Sequence, residues 1–207
     1  MDCWEEFPDN VHPHTLAAIY VILKAHSELT GKSHPLVTDA IRDLLIKGVE
    51  QFGHFVKFPD SPAVDASLLA LAVPYGVVAS DDPIMLKTVE QIEATILHGG
   101  GLHRYAKDSY YGGGAWILLT AWLGWYYAEL LETRPDMEAS LKQKTQACQT
   151  WIESRAMDKL YLPEQVSENL NFPAYLSTWK NRWGDIASPL LWSHANYIIL
   201  QVKTRSG

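Results

Sequence analysis

The sequence predicts an all-α chain of about seven helices with no significant sheet. Three observations carry that prediction. Apolar residues recur at the three- and four-residue spacing of a buried helix face, proline and glycine punctuate the runs where helices start and stop, and no segment alternates apolar and polar residues as a half-buried strand would. With 47% hydrophobic and 20% charged residues in 207, the composition is that of a globular protein and excludes intrinsic disorder.

The elements follow in order. Residues 13–30 place Leu16, Ile19, Tyr20 and Leu23 on one face, between Pro13 and Gly31. Residues 35–52 repeat the pattern with Ile41, Leu44, Leu45, Val49 and Phe52, between Pro35 and Gly53. A shorter helix is expected over 63–73, ending at Pro74, and another over 81–98, opened by Asp81, Asp82 and Pro83 and closed by three glycines. Residues 115–133 are apolar nearly all round, as a helix buried on several sides requires, whereas 134–156 reads as a polar helix. A last apolar helix is expected over 187–204. Two long connectors, 102–114 and 157–186, read as loops, and loops of that length in a compact domain tend to be functional. Alternating apolar and mixed-polarity helices suggest an inner and an outer layer, which fits a toroid of paired helices or an irregular bundle.

A formal net charge of −7 argues against nucleic acid as the main partner. Two cysteines, Cys3 and Cys148, form neither a disulfide scaffold nor a zinc site. The longest apolar run, 115–131, is interrupted and too short to span a membrane, and the acidic N-terminus lacks the layout of a signal peptide, so a cytoplasmic location is the default. His12-Pro13-His14 reads as a solvated helix start rather than a metal site, and His194 as a hydrogen-bonded core residue, with orientation of Glu164 as the alternative.

Three loop-like segments concentrate polar and aromatic residues: Trp4-Glu5-Glu6, the stretch from His103 to Gly113, and Leu162-Pro163-Glu164-Gln165-Val166. Two carboxyl sources with an arginine between them suit glycoside hydrolysis, in which one carboxyl donates a proton to the leaving oxygen and the other activates water or attacks the sugar. Arg104 would hydrogen-bond sugar hydroxyls through its planar fork, and tryptophan or tyrosine would provide a stacking floor.

These segments resemble glycoside hydrolase family 15, the glucoamylase family. Asp2-Cys3-Trp4-Glu5-Glu6 is similar to the family's Asp-x-Trp-Glu-Glu motif, and Arg104-Tyr105-x-x-Asp108-x-Tyr110-Tyr111 to its Arg-Tyr-x-x-Asp-x-Tyr-Tyr segment. Pro163-Glu164-Gln165-Val166, followed by Pro189-Leu190-Leu191-Trp192-Ser193-His194-Ala195, is similar to the segment that holds the family's catalytic base. The resemblance implies Glu5 as general acid and Glu164 as general base of an inverting hydrolysis that releases β-D-glucose from non-reducing ends of α-glucans, with no metal or organic cofactor. It further implies Trp4, Glu6, Arg104, Tyr110, Trp116 and Gln165 as substrate-binding residues. The implied fold is an (α/α)6 barrel, of which residues 1–207 would be the C-terminal half, the last seven of twelve helices. Three expectations about behaviour follow: an active glucosidase, a non-catalytic half-domain that self-associates or takes a complementing N-terminal half, or a sugar-binding module without turnover.

Overall fold

The computed structural model describes residues 1–205, and among them the chain is all-α with seven α-helices and one minimal strand pair. It divides into two compact units, Met1–Gln91 and Ile92–Gly207.

In the first unit, α1 (Pro13–Thr30) and α2 (Pro35–Phe52) have the bounds that the Pro and Gly punctuation predicts. Each begins on a proline, whose missing N–H costs nothing in the first turn, and leaves through a left-handed glycine, Gly31 or Gly53, whose N–H bonds back to a carbonyl of the last turn. The helix expected over 63–73 is instead a 3-10 helix, Ala66–Leu71. Its six residues are all buried, and the Asp65 carboxylate caps it by accepting the Ser67 N–H at 2.8 Å. A segment buried on every side and this short is held by the core around it rather than by its own ladder. The start of α1 also corrects an expectation: His12 is 5% exposed and bonds the Phe7 carbonyl at 2.8 Å, and burial holds His14 below the usual imidazole range, so this helix start is packed, not solvated.

α3 (Pro83–Ile96) leads into the second unit, where β1 (Leu97–His98) and β2 (Gly101–Leu102) pair antiparallel across a two-glycine turn. The core of this unit is α4 (Ile117–Thr133), with Leu118, Leu119, Leu123 and Tyr126 fully enclosed. Each leucine so enclosed is worth roughly 1.5–3 kcal/mol of transfer free energy. α5 (Glu138–Glu153) and α7 (Leu191–Arg205) pack on α4, as its all-round apolar surface demands. Cys148 of α5 is buried in that contact. The connector expected to be irregular over 157–186 contains a further helix, α6 (Pro173–Trp183). No residue of α6 is buried, although Tyr175, Leu176, Trp179 and Trp183 fall at helical spacing in its sequence. Among the described residues no helix is long and apolar enough to cross a membrane.

Candidate active site

The acidic motif of the first unit is a tight turn built by Asp2. Its buried carboxylate accepts the main-chain N–H of Trp4 at 3.0 Å and of Glu6 at 2.8 Å, while the Asp2 N–H bonds the Glu6 carbonyl at 3.2 Å. The turn puts Glu5 at φ 61°, in the left-handed region that an L side chain adopts only under constraint. Glu5 is thereby exposed, with Trp4 and Glu6 half-buried on either side. The Trp4 indole N–H donates to both oxygens of Asp65, at 3.1 and 3.2 Å. The Lys57 ammonium, 5% exposed, pairs with Asp65 and lies 3.3 Å from Asp2. Cys3, half-buried in the same turn, has its thiol pushed far up by burial and by Asp65 and Asp2, so it is no nucleophile.

In the second unit the structure gathers five of the residues singled out by sequence. Trp116 and Gln165 face each other in an antiparallel bridge, flanked by bonds from the Ile117 N–H to the Glu164 carbonyl (3.2 Å) and from the Val166 N–H to the Ala115 carbonyl (2.9 Å). This bridge ties the Glu164 segment to the start of α4. The Glu164 N–H bonds the Ala187 carbonyl at 2.9 Å, and the Ser193 hydroxyl reaches the Pro163 carbonyl at 2.8 Å from α7. His194 accepts the Leu162 N–H at 3.0 Å, so it steadies the segment two residues ahead of Glu164 rather than touching the carboxyl itself.

Arg104 is 3% exposed and locked to Asp108 by two parallel bonds, Nε to Oδ2 at 2.8 Å and Nη2 to Oδ1 at 2.5 Å. Asp108 also accepts the Tyr110 N–H at 2.9 Å, which fixes the turn that carries Tyr110. The guanidinium centre lies 5.2 Å from the Tyr110 ring and 5.3 Å from the Trp116 ring, and those two rings are 6.0 Å apart at 30°. The cation thus lies against two neighbouring aromatic rings at once, and together they make a rigid wall.

Glu164 sits beside this wall, half-buried, with its Oε2 atom shielded from solvent and accepting no hydrogen bond; the Gln165 side-chain N–H is likewise buried without an acceptor, its oxygen being bound to the Gly114 N–H at 3.1 Å. Burial holds the Glu164 carboxyl above the usual carboxylate range, against the opposing pull of Tyr110 and Arg104. Burial and the nearby Glu164 push the Tyr110 phenol up to about 12, so it stays protonated. A carboxyl poised above its ordinary value, with an oxygen not yet engaged, is suited to accept a proton from water near neutral pH. Among the described residues no group of three or more metal-ligating side chains occurs.

Several contributors are missing from the sequence reading. Asp108 stands in the motif quoted above, but the sequence assigns it no role; the structure makes it the partner of Arg104, four residues earlier in the same loop. Trp179 of α6 packs edge-on against Tyr110 (4.9 Å between centroids) and stacks on Tyr111 (5.7 Å, 29°). Lys57 and Asp65 carry no local signal that links them to the Glu5 turn. Gly113, at φ 70°, is required by close approach as well: a Cβ there would lie 2.0 Å from the Asp108 carbonyl oxygen.

No family model matches the chain. It is 39% identical over 206 residues to the isomaltose glucohydrolase of Kribbella flavida, covering 96% of this chain and 51% of that protein. It is 30% identical over 216 residues to an uncharacterized glycosyl hydrolase of Methanocaldococcus jannaschii, covering 96% of this chain and 33% of that one. The chain thus spans about half or less of the curated relatives it matches here. Among solved structures, a wild-type glycosidase superposes with a TM-score of 0.83 at 38% identity over 98% of this chain and 54% of its own, and a glutamate-to-alanine variant in complex with glucose does so at 0.84 and 36%. A bacterial glucoamylase complexed with acarbose, at 22% identity, matches in fold alone, with a TM-score of 0.72 over the whole of this chain and 35% of its own.

Proposed function

We propose that this chain, which has the fold of the glycoside hydrolase family 15 glucoamylases and trehalases along its length, supplies the catalytic acid and base of a glucoside-hydrolysing enzyme. Glu5 is the general acid and Glu164 the general base of an inverting hydrolysis that acts at the non-reducing end of an α-glucoside and releases β-D-glucose. Trp4, Glu6, Arg104, Tyr110, Trp116 and Gln165 hold the sugar. The observation that carries this reading is the Glu164 carboxyl, raised in pKa and with one oxygen shielded and without a hydrogen bond, beside an arginine held against two aromatic rings. The name of the Kribbella relative and the glucose held by the glycosidase variant support glucosides as the substrate class.

In this mechanism Glu164 takes a proton from the attacking water while Glu5 gives one to the departing oxygen. The Asp108-bound guanidinium of Arg104 has its planar fork aligned in advance, so little freedom is lost when it meets sugar hydroxyls. The test is glucose release from maltooligosaccharides and isomaltose by the 207-residue chain, with the anomer followed. The expected product is the β anomer, and Glu5→Gln and Glu164→Gln are each expected to lose roughly 10²–10⁴-fold in kcat. Full activity in both variants, or α-glucose as the first product, overturns the assignment.

A second reading is favoured by the coverage of relatives, 51% for the Kribbella protein. In it residues 1–207 are the C-terminal half of a twelve-helix toroid, and turnover requires a complementing chain with the first five. Glucose release that appears only when such an N-terminal half is added supports this reading, whereas saccharide binding without release under either condition supports a sugar-binding module.

A further inference from the structure

We propose that Lys57 is a positioning residue for the acid-bearing turn: its ammonium clamps Asp2 to Asp65 and through them fixes the backbone that presents Glu5. The inference deepens the reading of Glu5 as general acid and rests on it. A lysine that is 5% exposed is uncommon unless paired, and here the pairing involves two carboxylates that are themselves buried. Phe7 and Phe58 close over the ammonium, their ring centres 5.0 and 5.4 Å away.

What distinguishes this cluster from a simple buried ion pair is what the carboxylates do with their remaining lone pairs. Asp2 holds the main-chain N–H groups of Trp4 and Glu6, the residues on either side of Glu5. Asp65 holds the indole N–H of Trp4 and caps the 3-10 helix through Ser67. Trp4 is therefore gripped at its backbone by one aspartate and at its ring by the other, and Lys57 is the cation that lets the two negative charges share that space. Without it they repel across a low-dielectric gap. The Glu5 backbone, at φ 61°, keeps its conformation only while its surroundings over-determine it, and these bonds do so. Replacing a buried ion pair by apolar groups often costs little stability, so a cluster of this kind points to geometry as its purpose.

The test uses the 207-residue chain labelled with ¹⁵N and compares wild type with Lys57→Met and Lys57→Arg. In Lys57→Met we expect the Trp4 indole N–H and the Glu5 and Glu6 amides to shift and to exchange with solvent at least tenfold faster. We also expect kcat for glucose release to fall roughly 10–100-fold, as displacements near 1 Å do, with KM within about twofold. Lys57→Arg restores part of both. If Lys57→Met does not fold, Asp65→Asn replaces it, since it keeps an acceptor for the indole and the cap but removes the ion pair. Unchanged Trp4, Glu5 and Glu6 signals in a folded variant overturn the proposal, and so does a displaced turn with unchanged kcat. A wild-type chain that releases no glucose counts against the catalytic reading instead, and the indole and amide signals then decide on Lys57 by themselves.

Discussion

The role proposed for Glu164 places two opposite demands on one carboxyl. Burial raises its pKa and thereby favours the neutral form, while a base must be ionised to work. The hydroxyl of Tyr110 eases the conflict by lowering that pKa, so in Tyr110→Phe the acidic limb of the kcat/KM profile is expected to move to higher pH; a limb that stays in place would separate Tyr110 from the base. The same shift has a sign for stability. Because the folded state binds the Glu164 proton more tightly than the unfolded chain does, this contribution is complete below the ordinary carboxylate pKa and is lost as pH rises through the raised value. Glu164→Gln is therefore expected to melt higher than wild type at neutral pH, with the difference closing in acid, while it loses activity. Calorimetry at two pH values checks this. Sequence could single out Glu164, Arg104 and Glu5 because each sits in a dense polar and aromatic string. It could not show Lys57, whose partners Asp2 and Asp65 are separated from it by 55 and 8 residues.

At the scale of elements, the predicted helices whose bounds agree residue for residue are those with capping chemistry in the sequence. Pro13 with Gly31 and Pro35 with Gly53 set the bounds of α1 and α2 without reference to packing. Where tertiary context decides, the reading failed. The 3-10 helix Ala66–Leu71 is buried on all faces and so has no period to read, and α6 has no fully buried residue. α6 is held through its contacts with the Tyr110–Gly112 turn: Trp179 packs on both tyrosines, the Phe172 N–H bonds the Gly112 carbonyl at 2.9 Å, and the Tyr111 hydroxyl bonds the Gly184 carbonyl at 3.1 Å. Tyr111, at φ 48°, is strained and depends on this packing. Trp179→Ala is thus expected to raise KM for glucosides by about tenfold through a loosened Tyr110, with a smaller effect on kcat and on the thermal midpoint. Fluorescence and steady-state kinetics check it, and an unchanged KM would show that the Tyr110 turn stands without α6.

Across the whole molecule, apolar burial is unevenly distributed. α4 buries eleven of its seventeen residues, whereas α1 buries Pro13 and Ala17 and leaves Ile22 and Leu29 at 66% and 86% exposed. Local opening free energies follow buried contacts, so amides of α4 are expected to exchange with solvent far more slowly than those of α1. The fold class was legible because composition and helix punctuation act along the whole chain, while the division into two compact units leaves no mark in the sequence at Gln91. The two cysteines give that division a chemical readout. Cys3 lies in the first unit and Cys148 in the second, both unpaired. Burial raises both thiols, Cys148 to about 12, so little thiolate forms while the fold is closed. An alkylating reagent would therefore act as a pair of stopwatches, one per unit, with mass spectrometry reading each from its own peptide. Equal labelling rates would mean that the units open as one cooperative body, and a faster Cys3 would mean that the end of the chain bearing Glu5 breathes on its own.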